Sequence, residues 1–145
     1  MDEYASHLPI LKSLSRLLPM TRVLEFGAGF HSTPFFLGLP NLERLVSVET
    51  DREWHTRIAG AHDDERLQLR KKRPPDIGRF DLIFIDDGTE AVHREATIRW
   101  VLSRPHPPVV IHDAEVPQYL SAIDQLAENH VTFHKYTPWT ALAWR

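Results

Sequence analysis

The residues best suited to chemistry stand at the ends of short apolar runs. Val23-Leu24-Glu25-Phe26 leads into Gly27-Ala28-Gly29, and Val46-Ser47-Val48 leads into Glu49-Thr50-Asp51. Glycines at 27 and 29 permit a tight turn and let a ligand come close to the backbone. A helix starting behind them favours polar or anionic ligand groups. Alone, a Gly-x-Gly pair is as readily a loop that needs glycine conformations. Glu49 lies roughly 20 residues beyond the glycines, where an acid can accept both hydroxyl protons of a ribose. Its alternative is an exposed carboxylate favoured at a helix start. Glu25 sits inside the apolar run, and a buried acid is costly unless paired. It either holds a ligand ammonium or orients the loop backbone.

Two further runs end in acids. Phe80 to Ile85 precedes Asp86-Asp87-Gly88, and Val109-Val110-Ile111 precedes His112-Asp113. An imidazole titrates near neutrality, so His112, with Asp113 beside it, is the candidate general base. The competing reading is a histidine packed under the following helix. Asp86 and Asp87 equally suit hydrogen bonds to loop amides. His31 lies in the glycine loop, and Trp54 reads as helix packing rather than an adenine platform.

These positions require particular elements. Leu8, Leu11, Leu14, Leu17 and Leu18 predict a helix from Ala5 to Leu18, stopped by Pro19. Its leucine face is most simply core, although it could also cover a substrate. Arg22 to Phe26 is a buried strand. Ser32 or Thr33 can cap the next helix with Pro34 at its first position, and Gly38 and Pro40 end it. Leu45 to Val48 is a strand, followed by a helix capped by Thr50 or Asp51 and closed by Gly60. Leu67 to Leu69 predicts a third strand and Arg70 to Arg79 a loop. The Phe80 to Ile85 strand is followed by a helix from Glu90 to Leu102, and the Val109 to Ile111 strand by a helix from Gln118 to Asn129. Val131 to Tyr136 and Thr140 to Trp144 flank Thr137-Pro138-Trp139 as a hairpin. Alternating strands and helices with fully apolar strands imply a mostly parallel sheet covered on both faces. Ligands in such sheets sit beyond the carboxyl ends of the strands, where the strand order switches.

The 145 residues form one domain, and no internal repeat or linker divides them. Without cysteine, disulfides, thiolate zinc sites and cysteine nucleophiles are excluded. A net charge of -3 gives no global pull toward nucleic acid or anionic membrane. Arg70-Lys71-Lys72-Arg73 could touch phosphate but reads more simply as a solvated edge. Met1-Asp2-Glu3-Tyr4 is acidic and unlike a signal peptide, and no apolar stretch is long enough to cross a bilayer. A cytoplasmic location, a small-molecule substrate and no membrane partner are the expectations, and a homodimer is compatible with them.

The strand, glycine turn, helix, strand and terminal acid suit either a dinucleotide or S-adenosylmethionine. Ser32 stands where a dinucleotide site prefers Gly or Ala, Glu25 precedes the turn, and the chain closes on a hairpin. Over Arg22 to Trp144 the sequence resembles the class I S-adenosylmethionine-dependent methyltransferases. Val23 to Gly29 looks like their first motif and Val46 to Asp51 their second. Phe80 to Asp86 and Val109 to Asp113 look like their fourth- and fifth-strand motifs. The resemblance implies a Rossmann-like three-layer α/β sandwich with a mostly parallel seven-stranded sheet and a C-terminal antiparallel hairpin. It implies a methyltransferase using S-adenosyl-L-methionine, held by Glu25, Gly27, Gly29, Glu49, Thr50 and Asp86, with His112 and Asp113 catalytic. The third strand ends in Leu69-Arg70-Lys71, without the acid the family often places against adenine. Some small-molecule O-methyltransferases of this class hold a divalent metal with acids after the fourth and fifth strands, continuing Asp-Asn. Here Asp113 is followed by Ala114, so no metal is expected. The alternatives are a nicotinamide-dependent oxidoreductase and a nucleotide-binding module that lost catalysis.

Overall fold

The computed structural model describes residues 5–88 and 90–145. The acidic start, Met1 to Tyr4, lies outside them. The elements are α1 (Leu8–Leu14), β1 (Arg22–Phe26), α2 (Ser32–Leu37), β2 (Arg44–Val48), α3 (Arg52–Ala61) and β3 (Leu67–Arg70). They continue with β4 (Leu82–Ile85), α4 (Ala91–Leu102), β5 (Val109–His112), α5 (Pro117–Leu126), β6 (Asn129–Phe133) and β7 (Thr140–Trp144). The strands make one seven-stranded sheet in the order β3-β2-β1-β4-β5-β7-β6. β1 to β5 are parallel, and β7 runs antiparallel to both β5 and β6. This is the Rossmann-like class I methyltransferase architecture, closed by the expected hairpin. The strand order reverses between β1 and β4, so the ends of these two strands frame the crevice where such sheets take ligands.

Strand alternation divides the core into two layers. Leu24, Phe26, Val46, Val48, Ile83, Ile85, Val109 and Ile111 pack with Ile98 and Val101 of α4 and Ile123 of α5. Val23, Leu45, Leu82, Phe84 and Val110 face the other way, onto Leu11 and Leu14 of α1 and Phe36 of α2. The leucine face of α1 is therefore core. That helix is shorter than its leucine spacing predicts. After Leu14 the chain tightens, with Arg16 and Leu17 amides donating to carbonyls only three residues back, and Leu17 is left 77% exposed. α5 also stops earlier than expected, because Asn129 and His130 already pair with β7 as strand. Gly60 lies inside α3 instead of closing it, and the helix ends at His62 in extended conformation. Among the described residues no helix is long and apolar enough to cross a membrane.

Candidate active site

Alternation turns Glu25 toward α2, onto the same face as Val23 and opposite Leu24 and Phe26. It is fully buried, and its cross-strand partner in register is Ser47. The carboxylate accepts hydrogen bonds from Ser32 Oγ at 2.5 Å, Thr33 Oγ1 at 2.8 Å and Ser47 Oγ at 2.5 Å. Thr33 Oγ1 in turn accepts from the Gly29 amide at 3.0 Å. Glu25 thus shapes the glycine loop through a threonine. Ser32 and Thr33 do not cap α2, as their position suggests; His31 holds the N-cap position, and both hydroxyls are committed to the buried acid. Burial pushes the Glu25 carboxyl up to about 7, against the pull of the Ser32, Ser47 and Thr33 hydroxyls.

The two glycines differ. Gly27 has φ +85, and a Cβ there would lie 2.3 Å from the Asp86 carbonyl oxygen and 2.8 Å from Asp87 Cα. The need for glycine at 27 thus comes from the chain's own β4 end. At Gly29 a Cβ would meet only Ser32 Oγ, at 3.3 Å, so its open side is available to a ligand. The Ala28 carbonyl accepts from Trp54 Nε1, and the Phe30 ring stands edge-on to Trp54 at 5.0 Å between centroids. Trp54 is therefore more than helix packing, because it ties α3 to the glycine loop.

Glu49 follows β2 and is half-buried. Its Oε1 accepts the Asp51 amide at 2.9 Å. Burial raises its pKa, and the Asp51 and Ala28 amides oppose that rise. Thr50 beside it is exposed. Asp51, the expected cap of α3, accepts the Trp54 amide at 2.7 Å.

The ends of β4 and β5 are joined by Arg94 of α4, a residue that sequence spacing did not single out. It is 6% exposed. Its guanidinium lies 3.0 Å from Asp86 Oδ1, bonds Asp113 Oδ2, and donates to the Asp87 carbonyl at 2.9 Å. Asp113 takes φ +57, a conformation that short polar side chains tolerate better than most. Burial would raise the Asp86 carboxyl, but the His112 hydrogen bond and the Arg94 charge together hold it below its usual value. Asp87, half-buried behind it, is raised by burial despite a 2.6 Å bond from Thr97 Oγ1.

His112, at the last position of β5, is 4% exposed. Its Nδ1 lies 3.2 Å from Asp86 Oδ1, and its Nε2 lies 2.9 Å from Ser6 Oγ. Ser6 Oγ also donates to the Pro138 carbonyl at 2.9 Å. Ser6, just ahead of α1, therefore reaches the β5 end. His7 comes with it, 1% exposed, its ring 4.9 Å from that of Phe84 and 4.7 Å from that of His112. Burial, and then the neighbouring His112, push its pKa down to about 4, so the ring is neutral at physiological pH.

The structure thus brings the expected residues to one edge of the sheet in two groups. Glu25, Gly27, Gly29, Glu49 and Thr50 line the β1 and β2 ends. Asp86, His112 and Asp113 line the β4 and β5 ends. Ser6, His7 and Arg94 complete the second group. The one available signal for them was chemical, since buried acids at strand ends require donors.

No family model matches the chain, and no curated protein sequence matches it. Solved structures do resemble it. The chain is similar to the ribosomal protein L11 methylase from Lactobacillus delbrueckii subsp. bulgaricus, at 16% identity and a TM-score of 0.68, over 99% of this chain and 78% of that one. It is similar to spermidine synthase from Thermotoga maritima, at 15% identity and a TM-score of 0.68, over 97% of this chain and 58% of that one. It is also similar to the N-methyltransferase NodS from Bradyrhizobium japonicum WM9 in complex with S-adenosyl-L-homocysteine. That match has 14% identity and a TM-score of 0.62, over 95% of this chain and 85% of that one. At these identities the likeness establishes the fold they share.

Proposed function

We propose that this protein is an S-adenosylmethionine-dependent methyltransferase acting on a small-molecule acceptor. The observation that carries this reading is the placement of the Gly27–Gly29 loop and Glu49 at the ends of adjacent strands, beside the reversal of strand order. Glu49 accepts the donor's ribose hydroxyls, with Thr50 next to it. The open side of Gly29 admits the donor's amino-acid portion, and Glu25 acts on that portion indirectly, by fixing the loop. Asp86 borders the donor from the β4 side. NodS, of the same fold, has been solved with S-adenosyl-L-homocysteine, which supports this choice of donor. Spermidine synthase shares the fold as well, so the transferred group has to be established by experiment.

In the reaction the acceptor atom forms a bond to the methyl carbon as the carbon–sulfur bond breaks. The sulfonium becomes a neutral thioether, and the acceptor's proton passes to a base, the part we assign to His112. Most of the acceleration comes from holding acceptor, methyl and sulfur in line. The acceptor end is formed by His112 and Asp113, the residues to which catalysis is assigned. The carboxylates Asp86, Asp87 and Asp113 around that end disfavour a phosphate backbone and suit an uncharged or cationic small molecule.

Titration with S-adenosyl-L-homocysteine tests the reading. Saturable binding, weakened by Glu49→Gln and not reproduced with NAD, is expected. A folded chain that ignores the ligand at millimolar concentration, or prefers NAD, overturns it.

A further inference from the structure

We propose that His7, Asp86 and His112 form a binding site for one divalent transition-metal ion of the zinc type, with coordination positions left open. One ligating atom from each residue lies within 4.8 Å of the others. They arrive from the segment before α1, the end of β4 and the end of β5.

Proton placement makes the case. Ser6 Oγ lies 2.9 Å from the Pro138 carbonyl, which can only accept, so the hydroxyl proton points there. His112 Nε2, 2.9 Å from the same Oγ, must then be the donor in that contact. A neutral imidazole carries one N–H, so Nδ1 is left with a lone pair. That lone pair faces Asp86 Oδ1 at 3.2 Å, and a carboxylate oxygen is also an acceptor. Two acceptors at this separation need a positive centre between them, either a proton or a metal ion.

His7 distinguishes the two. Its ring is 1% exposed, and among the described residues neither ring nitrogen has a hydrogen-bond partner. A proton shared by His112 and Asp86 leaves both nitrogens unpartnered, whereas a metal ion uses one of them. The local charge agrees: Asp86 and Asp113 are two carboxylates against the single Arg94 guanidinium, with Asp87 adjacent. Bonds of about 2.0–2.1 Å to a tetrahedral zinc put ligand atoms about 3.3 Å apart. The His112–Asp86 pair already stands at 3.2 Å. From the 4.8 Å limit, the His7 arm has to close by at most about 1.5 Å.

Ser6 and Pro138 supply the outer support such a ligand needs, since the bond at Nε2 fixes which nitrogen of His112 faces the metal. Two imidazoles and a carboxylate suit zinc, iron or nickel better than magnesium. The Asp86 side chain is 26% exposed, which opens the site on that side. This donor set differs from a pair of acids after the fourth and fifth strands, because β5 contributes an imidazole, His112, and the third donor, His7, precedes α1. With a metal ion on its Nδ1, His112 would serve as ligand in place of base, and the ion would bind an acceptor oxygen and ease loss of its proton to solvent. The site itself stands without the transferase reading.

The test uses the full chain stripped with a chelator, titrated with Zn²⁺ by calorimetry and with Co²⁺ by visible absorption. One tight equivalent is expected. His7→Gln and Asp86→Asn should each abolish it, and Ser6→Ala should weaken it roughly 10–100-fold. His130→Ala, at an exposed histidine paired with Asp124, should leave it unchanged. Absence of the tight equivalent, or its survival in both His7→Gln and Asp86→Asn, overturns the site. X-ray absorption of the zinc-loaded native chain removes dependence on how the variants fold. Two imidazole ligands support the proposal, and fewer overturn it. Neither readout involves a methyl donor, so the result is separate from the test of methyl transfer.

Discussion

Gly27 and Asp86 are in such close backbone contact that any side chain at 27 would collide with the end of β4: its first carbon would lie 2.3 Å from the Asp86 carbonyl oxygen. Gly27→Ala must therefore shift backbone, and it also places an alanine at φ +85. A left-handed residue costs about 1–2 kcal/mol, and forced repacking typically adds about 1–3 kcal/mol. Urea unfolding should show a loss in the sum of these ranges. Gly29→Ala makes the contrast, because its Cβ meets only the Ser32 hydroxyl. It should unfold within about 1 kcal/mol of the native chain, in keeping with an ordinary loop substitution. Affinity for S-adenosyl-L-homocysteine should nevertheless fall at least tenfold, read by calorimetry. Unchanged affinity would remove Gly29 from the donor site.

Glu25 predicts a pH dependence of stability. Its pKa is about 7 in the folded chain, against an ordinary value of 4.5. Between these values the folded chain keeps a proton that the unfolded chain has released. The contribution is fully present below about pH 4.5 and is lost as pH rises through about 7, a change of about 3 kcal/mol. His7, held near 4 against an ordinary 6.5, contributes in the opposite sense, its stabilisation being lost as pH falls from about 6.5 toward 4. The Glu25 contribution is therefore read as the difference between the native chain and Glu25→Gln in denaturant unfolding from pH 4.5 to 8, and that difference should shift by about 3 kcal/mol against the native chain as pH rises.

Thr33 links Glu25 to the Gly29 amide, donating to one and accepting from the other. Thr33→Val keeps the shape and removes both bonds. A loss of about 1–3 kcal/mol is expected for leaving buried polar partners unsatisfied, together with weaker donor binding. Thr33→Ser, which restores the hydroxyl, should recover most of both. Recovery of neither would mean that the methyl group, not the hydroxyl, matters at this position.

Arg94 pairs with both Asp86 and Asp113 from a buried position. Arg94→Met leaves those carboxylates facing each other without a cation. Breaking one side of a buried pair costs about 3–5 kcal/mol, and thermal unfolding should register a loss of that order. Arg94→Lys should fall between, since a lysine carries the charge without the guanidinium fork that reaches both acids.

The sheet was legible because its strands are uninterrupted apolar runs, and the bounds of β1 follow directly from Arg22 to Phe26. The glycine loop and Glu49 were legible because their residue types and spacing belong together. The hydroxyls around Glu25 were not. Ser32 and Thr33 at a helix start look like caps, and only the turn of β1 shows that a buried carboxylate claims them first. Arg94 was hidden for a related reason: it stands among Val92, His93 and Glu95 on a helix whose sequence does not say which charge turns inward. Ser6 and His7 were hidden by distance, because Ser6 meets a residue 106 positions away and no local pattern carries such a contact.

The buried hydroxyl ring around Glu25 also bears on how the donor enters. The glycine loop is held from within by Thr33 and from outside by Trp54, so its ordering is complete when the chain folds. Binding then requires no rearrangement of that segment and forgoes the entropic cost of arranging it. Stopped-flow traces with S-adenosyl-L-homocysteine should be single exponentials whose rate rises linearly with ligand. In Thr33→Val a slower, saturating phase should appear, as a preorganised cradle becomes one that the ligand has to assemble.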